Sequence, residues 1–408
     1  MTDAQGRGIL SGVKVLDVAH AYSAALSAAL LADLGAEVLC IEHPSGSPVR
    51  QTTPKSQGQA LWWKNMGRGK RCMTLNLGTP RGRELFLELV PRFDLMVENF
   101  RPGTLERWKL GPTDLEAAGG NLSLLRISGY GQTGPKKNRP GFGTTAEAFS
   151  GFAHLNGFPD GPPVFPSIAL ADGVAATFGA FGLMAAMNNR LRTGRKGVDV
   201  VDVALFEALF RLSPVQVMAY DQLGLDMKRP GNSLMSLGLV RNLYTTRDGT
   251  HFVVSTVGAP TIRRLIESAS APAELLAELD GGVMRRSNAD IQQFVLACDR
   301  LVAQWALMHD WPHVERCLQT SDAIYERVYS TADIFEDEQY RAREDVVKVQ
   351  DPDLGEVRMS GIVPKFPGYS HTIRHPGPTL GQHNSELYAE YFGFDQAKLD
   401  ALRAEGVL

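Results

Sequence analysis

Residues 13–42 read VKVLDVAHAYSAALSAALLADLGAEVLCIE, and this stretch decides the fold class. Val13–Val18 form a short run rich in β-branched residues that predicts a strand. Ala21–Leu34 are rich in alanine and leucine and predict a helix, for which Gly35 is a candidate C-cap. Ala36–Ile41 predict a second strand. Strand, helix and strand in this order indicate the alternating α/β class.

The alternation continues to about residue 130. We predict a strand at Met73–Leu77, a helix at Pro80–Leu89, and further strands at Leu95–Glu98 and Leu122–Ser128. Strands and helices that alternate in this way favour a parallel sheet of the doubly wound type. Ligands bind beyond the carboxyl ends of the strands in such sheets, so the loops after the strands are the first places to search for chemistry.

The composition excludes several functional classes. The chain has 408 residues, a formal charge of −3 and 44% apolar residues. The balanced charge argues against a nucleic-acid binder driven by electrostatics, and the apolar content is too high for a disordered chain. The amino-terminal residues contain no apolar signal-peptide region, and the four cysteines have no metal-binding spacing. We therefore expect a cytoplasmic protein with no metal site and with neither nucleic-acid nor membrane partners.

The length predicts two domains, because domains commonly span ~100–200 residues. The α/β pattern changes at Gly224–Leu239, which we interpret as a linker. Asp248-Gly249 follows between two apolar runs and predicts a β-hairpin. Helices are predicted at Thr261–Leu279, interrupted at Pro272, and at Ala289–Ala306. From about residue 350 the chain is predicted to be strand and loop, with a last helix near residues 395–404.

Gly129–Gly134, with the sequence GYGQTG, matches the dinucleotide-binding pattern GxGxxG. That function requires a helix to begin within the motif, and Pro135–Pro140 cannot open one. We therefore predict a glycine-rich loop of another kind. Two groups of basic residues follow predicted strands and suit a ligand with several phosphates, with solvated surface as the alternative. They are Lys136–Arg139, and Arg101, Arg107 and Lys109.

Asp172 is the most suggestive carboxylate. It lies near the start of a long apolar helix predicted at Leu170–Leu191, whose internal glycines indicate close packing against another element. The simplest hypothesis is that Asp172 is the N-cap of this helix. The alternative is a nucleophile, because a helix N-terminus stabilises an ionised carboxylate by ~0.3–1 kcal/mol and the small neighbours leave room for a substrate. Glu147 and Asp160 are predicted to be surface groups.

Seven short motifs in a fixed order resemble those of the family III CoA-transferases of the CaiB/BaiF type, which include formyl-CoA transferase and the 2-methylacyl-CoA racemases. The resemblance covers nearly the whole chain, and the order of the motifs is far more specific than any one of them. They are LSGVKVLD at 10–17, LADLGAEV at 31–38, VENFRPG at 97–103, SGYGQTGP at 128–135, ADG at 171–173, RTG at 192–194 and PTLGQHN at 378–384.

The resemblance implies a Rossmann-like large domain that holds both chain ends, a smaller α+β domain, and an interlocked dimer. We expect residues 1–220 and 331–408 in the large domain and residues 221–330, with linkers, in the small one. Asp172 would be the nucleophile of a CoA-transferase that passes CoA from an acyl-CoA donor to a small carboxylic acid, through aspartyl anhydride and aspartyl-CoA thioester intermediates. CoA esters are then substrates, and no tightly bound cofactor is implied. We expect a homodimer, with a hetero-oligomer of related subunits as the alternative.

The resemblance also points to residues that bind CoA, with Arg107 facing a phosphate and His20 lining the nucleotide pocket. Together with two cations of the basic loop, the predicted set is His20, Leu75, Asn99, Phe100, Arg107, Lys137 and Arg139. The chain departs from the family at His43 and Gly78, where basic residues are frequent. Ser233–Leu239 also lie where formyl-CoA transferase has a glycine run. We therefore expect an acid that is bulkier or less polar than formate and oxalate.

Two other functions stay open at this point. A racemase or epimerase of 2-methylacyl-CoA esters needs two acid/base groups that flank the α-carbon. Asp172 supplies one, but Phe142 stands where the racemase pattern has a histidine. A non-catalytic, CoA-binding partner subunit is the second alternative, and retention of the nucleophile argues against it.

Overall fold

The computed structural model describes residues 8–233 and 238–408. Most of the loop Ser233–Leu239, whose role was predicted above, lies outside the described residues. The chain divides into two compact units. That the chain has domains with boundaries near residues 220 and 330 stays a prediction. The first unit comprises Met1–Phe152, Phe165–Leu225 and Gln339–Leu408, and the second comprises Ala153–Val164 and Asp226–Glu338.

The strands of the described residues form one large sheet and three small ones. They are β1 Lys14–Asp17, β2 Glu37–Glu42, β3 Lys55–Ser56, β4 Gln59–Ala60, β5 Lys70–Thr74, β6 Leu95–Glu98, β7 Ser123–Ser128, β8 Asp199–Ala204, β9 Asn242–Thr245, β10 His251–Val254, β11 Tyr325–Arg327, β12 Val346–Asp351 and β13 Gly355–Ser360. The large sheet has the order β5-β2-β1-β6-β7-β8, and all its neighbouring strands are parallel. This is the doubly wound order of Rossmann-like folds, so the predicted fold class is confirmed.

Helices flank this sheet and build most of the second unit. In the described residues they are α1 Tyr22–Asp33, α2 Leu61–Met66, α3 Pro80–Leu89, α4 Thr104–Arg107, α5 Pro112–Ala117, α6 Gly143–Phe149, α7 Phe152–Leu155, α8 Leu170–Thr193, α9 Leu205–Arg211, α10 Pro214–Leu223, α11 Ala259–Ser268, α12 Ala273–Asp280, α13 Asn288–Met308, α14 Trp311–Thr320, α15 Thr331–Glu336, α16 Glu338–Ala342, α17 Asn384–Phe392 and α18 Gln396–Ala404. The break between α11 and α12 lies at Pro272, as predicted, because proline cannot continue a helix interior.

Alternate residues of each strand face opposite layers of helices, as the period of two requires. Val15 lies in a buried core with residues of α1 and α8, whereas Leu16 lies in a second core with residues of α3, α17 and α18. The glycines of α8 allow one of these layers to approach closely. A Cβ on Gly179 would lie 2.7 Å from a methyl group of Leu125, which confirms the predicted close packing of this helix.

Two sequence predictions of the first unit are wrong. The strand predicted at Met73–Leu77 is observed as β5 at Lys70–Thr74. It can begin at Lys70 because the buried Nζ of this lysine donates to Asp17 Oδ2 and to the Ala25 carbonyl, each at 2.7 Å. This pairing lets a charged residue begin a core strand. The carboxyl-terminal region also contains α17, which the strand-and-loop prediction omitted. Its Tyr388 is fully buried and donates from its hydroxyl to the Thr74 carbonyl at 2.8 Å.

The second unit has its own core. β9 and β10 pair as the predicted antiparallel hairpin, and β11 extends them into a three-stranded sheet. Gly249 in the connecting turn has φ of +82°, a left-handed conformation that favours glycine. The sheet packs on α11, α13 and α14 through a buried apolar cluster that includes Phe252, Phe294 and Trp305.

By length and composition, α8 is apolar enough to cross a membrane. Within the described chain it packs instead against α1, α9 and strands β7 and β8 of the sheet. A long apolar helix that packs within an α/β domain can pass the same composition test as a membrane span.

Candidate functional site

A cavity of about 470 Å³ opens at the carboxyl edge of the parallel sheet. Its walls are the loops that follow β1, β2, β5 and β6, which are four neighbouring strands. The strand order reverses between β2 and β6, on either side of β1, and such a switch point is where doubly wound sheets bind ligands. The structure therefore places a cavity where the sequence directed the search.

Three of the predicted CoA-binding residues line this cavity, namely His20, Leu75 and Phe100. The imidazole of His20 lies 5.5 Å from the Phe100 ring, and that ring makes an edge contact with Trp108 at 5.1 Å, measured between ring centroids. Burial lowers the pKa of His20. Asn99 holds two walls together, since its Oδ1 accepts a hydrogen bond from the His20 backbone at 3.0 Å.

Few cations face the cavity. Arg101 lines it, whereas the predicted phosphate contact Arg107 is exposed nearby and donates to Thr104 Oγ1 at 2.9 Å. His43 and Gly78, the two positions where the family often has basic residues, both line the cavity. A phosphate-bearing ligand would therefore depend on Arg101 and on side chains that reach the rim.

A buried ion network fixes one wall of the cavity. Arg126 of β7 pairs with Glu98 of β6 and with Glu106 of α4, each at 2.7 Å. Glu98 also accepts a hydrogen bond from the Phe100 backbone at 2.6 Å. Burial raises the pKa of Glu98 to about 7, although Arg126 opposes that shift. The network thus ties Phe100 and the turn with Arg107 to the sheet.

The glycine-rich segment Gly129–Gly134 forms a loop, and the next helix, α6, begins only at Gly143. The prediction that this motif does not open a helix is therefore confirmed. The predicted contacts Lys137 and Arg139 are exposed on this loop and do not line the cavity. Arg139 lies over the ring of Tyr130, 5.7 Å from its centroid.

Asp172 is the third residue of α8, and the N-cap position is Ala169. The N-cap hypothesis for Asp172 is therefore wrong. Ala169 has no side chain that can cap the helix. The carboxylate that caps this end comes from α6, where Glu147 Oε1 accepts a hydrogen bond from the Ala171 backbone at 3.3 Å.

Glu147 is 3% exposed, so its prediction as a surface group is wrong. Asp160 is exposed, as predicted. The pKa of Asp172 is raised to about 6, first because the carboxyl is partly removed from water and second because the charge of Glu147 disfavours ionisation. The backbone of Gly143 lies against this carboxylate, since a Cβ at that position would collide with Asp172 Oδ2.

Tyr22 is a second titratable side chain that interacts with Asp172. It begins α1, two residues after His20, and its ring packs edge-on against Trp62 at 5.1 Å. Burial raises the pKa of Tyr22, and the charge of Asp172 raises it further, so the two side chains are electrostatic neighbours. Tyr22 was not among the predicted site residues, although it begins the helix that follows β1.

One group of potential metal ligands occurs in the described residues. The ligand atoms of Cys40, Glu42 and Cys72 lie within 4.8 Å of one another, and all three residues are buried. Glu42 is already bound by Arg50, whose Nε lies 2.8 Å from Oε2 and whose Nη2 lies 2.6 Å from Oε1. This pairing leaves no open carboxylate for a metal, and we propose no metal site here.

The model of CoA-transferase family III matches residues 10–384. The succinyl-CoA–D-citramalate CoA-transferase of Chloroflexus aurantiacus is 34% identical over 98% of this chain and 98% of that one. The beta subunit of the succinyl-CoA–L-malate CoA-transferase of the same organism is 35% identical, again over 98% of each chain. The crystal structure of a CaiB/BaiF family protein from Brucella suis has a TM-score of 0.80 and 25% identity, and covers 94% of this chain and 100% of that chain.

Proposed function

Because this chain belongs to CoA-transferase family III, as the sequence motifs predicted, we propose that it transfers CoA from succinyl-CoA to a small dicarboxylic acid. The names of the two relatives above contain succinyl-CoA together with citramalate or malate, which are dicarboxylic acids. The observation that carries the proposal is the carboxylate of Asp172. It is partly removed from water, and its charge acts on Tyr22, which follows the cavity residue His20 by two positions.

The proposed reaction proceeds through four exchanges at this carboxylate. An oxygen of Asp172 attacks the thioester carbonyl of the donor, the C–S bond breaks, and CoA thiolate leaves a mixed anhydride. The thiolate then attacks the Asp172 carbonyl, which releases the donor carboxylate and forms an aspartyl-CoA thioester. The acceptor carboxylate attacks this thioester and expels the thiolate again. The thiolate attacks the acyl carbonyl of the acceptor, which gives the new acyl-CoA and frees Asp172.

The environment of Asp172 suits this sequence of steps. A carboxyl group with a pKa of about 6 is ionised at pH 7.5 and more basic than an ordinary aspartate. Greater basicity strengthens the attack on a thioester, while a carboxylate is still able to leave from an anhydride. Partial burial also limits the access of water, which would hydrolyse the anhydride.

The same proposal assigns the CoA moiety to the cavity. His20, Leu75 and Phe100 would contact the nucleotide, and Asn99 would hold the two loops in place. Arg107, Lys137 and Arg139 remain proposed phosphate contacts from outside the cavity. The ester would then run past Tyr22 towards Asp172. CoA esters enter and leave as substrates, with no tightly bound cofactor.

We also propose that the protein is a cytoplasmic homodimer. Large apolar side chains are exposed along α8, α9 and α10, as a monomer surface rarely shows over such a length. They include Phe181, Leu191, Phe210, Met218, Tyr220 and Leu223. Two relatives are named as alpha and beta subunits, so a hetero-oligomer is the alternative. Light scattering of the purified chain distinguishes them, because a required second subunit would leave this chain monomeric or aggregated.

The central test is mass spectrometry of the protein after incubation with succinyl-CoA. We expect a CoA adduct at Asp172, which hydroxylamine converts to a hydroxamate, and we expect none in Asp172→Ala. Asp160→Ala is the matched control, because that aspartate is exposed and should leave the adduct unchanged. Full turnover by Asp172→Ala would exclude the proposed mechanism.

The alternatives give other outcomes in the same preparation. A racemase would exchange the α-hydrogen of an acyl-CoA for deuterium from the solvent without any acceptor acid. A non-catalytic partner subunit would bind CoA but form no adduct. A panel of dicarboxylic acids offered with succinyl-CoA, with the products identified by mass, then names the acceptor.

A further inference from the structure

Glu147 is a buried carboxylate that the proposed reaction does not use. Its side chain lies on α6, and in the described part of the chain no cation forms an ion pair with it. Its Oε1 accepts from the Ala171 backbone N–H at 3.3 Å. A buried and uncompensated carboxylate is unfavourable, so its retention beside a second carboxylate calls for a function.

The hydrogen bond made by Glu147 replaces a cap that α8 lacks. The first backbone N–H groups of a helix have no partner within the helix. At this end Leu170 N–H binds the Ile168 carbonyl at 2.8 Å, and Ala169 offers no side-chain acceptor. Glu147 supplies the acceptor for Ala171, the residue immediately before Asp172.

Gly143 and Glu147 share one face of α6, because residues four apart lie one above the other on a helix. Gly143 leaves the space that the Asp172 carboxylate occupies, and Glu147 accepts a hydrogen bond from the backbone N–H of Ala171. In the described residues, two elements packed against α8 bring a titratable group to Asp172. The charge of Glu147 on α6 raises the pKa of Asp172, and the charge of Asp172 raises the pKa of Tyr22 on α1. The charge of Glu147 therefore acts on the Asp172 carboxyl group.

We propose that Glu147 is a positioning residue for Asp172, which holds the first turn of α8 in place and keeps a second negative charge beside the attacking carboxylate. This inference rests on the proposed function, because it assumes that Asp172 is the nucleophile. Removal of the neighbouring charge would leave Asp172 easier to ionise and less basic. Removal of the hydrogen bond between Glu147 and Ala171 would loosen the first turn of α8, which orients the Asp172 carboxylate.

Three substitutions separate these two contributions. Glu147→Gln keeps an oxygen that accepts from Ala171 but loses the charge. Glu147→Asp keeps the charge on a shorter side chain, and Glu147→Leu loses both. The measurement is the rate of CoA-adduct formation on Asp172 from succinyl-CoA between pH 4.5 and 8.

For Glu147→Gln we expect the acid limb of the pH profile to move at least ~0.5 units to lower pH. Glu147→Asp should keep the wild-type limb with a reduced rate, and Glu147→Leu should lose at least ~10-fold in rate at every pH, as is common when a supporting contact of a reacting group is removed. A wild-type limb in Glu147→Gln, or a wild-type rate in Glu147→Leu, would overturn the inference.

Failure of this inference is distinguishable from failure of the proposed function. If the wild-type protein forms no adduct on Asp172, the proposed function is wrong. If the adduct forms and Glu147→Gln is indistinguishable from wild type, only the role of Glu147 is wrong. Should Glu147→Leu fail to fold, the nearly isosteric Gln variant still decides the question through the pH profile.

Discussion

Replacement of Asp172 by asparagine is predicted to stabilise the protein while it abolishes the adduct. The pKa of Asp172 rises from 3.8 to about 6 on folding, so the folded state resists ionisation of this group. A shift of this size corresponds to roughly 3 kcal/mol at pH 7, where the group is ionised in both states. Asparagine cannot ionise and so escapes this cost. We expect a gain of about 1–3 kcal/mol, since the new amide must also find partners.

The sign of the pH dependence follows from the same shift. A group whose pKa is higher in the folded state binds protons on folding, so the wild-type protein recovers the lost stability as the pH falls through about 6. The advantage of Asp172→Asn should therefore be largest above pH 7 and shrink towards pH 5. Below the unfolded pKa of 3.8 it should vanish.

The assay is urea unfolding at several pH values, with the protein concentration fixed because association contributes to apparent stability. Asp160→Asn serves as the control, because this exposed carboxylate should change the free energy of unfolding by less than ~0.5 kcal/mol. If Asp172→Asn proves less stable than wild type at pH 7.5, the ionised carboxylate stabilises the folded state, and folding does not raise the pKa of Asp172.

Three further predictions concern the surroundings of the nucleophile and the cavity. Gly143→Ala should slow adduct formation at least ~10-fold, because its Cβ would collide with the Asp172 carboxylate and displace it. Gly173→Ala on α8 is the control and should leave the rate unchanged, because its Cβ would meet nothing within 4 Å. The rates of the two variants are compared by stopped-flow measurement of thiol release. Phe100→Ala should raise KM for the CoA ester about tenfold, or ~1.4 kcal/mol, with kcat little changed in steady-state kinetics. Arg126→Met should cost about 3–5 kcal/mol of unfolding free energy, because it leaves Glu98 buried and unpaired, and Arg126→Met with Glu98→Gln should recover part of that loss in urea titrations.

The first βαβ unit could be predicted from the sequence because its local and long-range requirements agree. Val13–Val18 contain the observed β1, and Ala21–Leu34 contain the observed α1 with one residue to spare at each end. Apolar runs, small residues and a terminal glycine all point to the same elements there. The Asp-Gly hairpin of the second unit succeeded for the same reason.

The errors arose where a distant residue satisfies a local need. A strand that begins with Lys70 contradicts every local rule until Asp17, 53 positions earlier, pairs with the lysine. Glu147 looked like a surface group because nothing near it in sequence shows that Ala171 lacks an acceptor. Single-sequence patterns report neighbours along the chain, whereas these interactions join different elements in space.

The same contrast between local signals and distant interactions applies to the candidate site. Phe100 and Asp172 lie in the ordered motifs, whereas His20 and Leu75 came from the wider resemblance to the family, and all four remain predicted site residues. Glu147 and Tyr22 act on Asp172 through burial and charge, which no motif records.

The start of α8 combines choices that a helix selected for stability would avoid. Ala169 stands at the N-cap, where serine, threonine or aspartate would contribute about 1 kcal/mol. A glycine opens α6 where alanine would favour the helix by a similar amount. The capping bond comes from a buried carboxylate that repels the adjacent one. Each of these choices is unfavourable for folding, and together they surround a carboxylate that is partly removed from water and unusually basic. Unfavourable local choices concentrated around a single side chain are the pattern expected of a site selected for chemistry, and they support the proposal that Asp172 is the nucleophile.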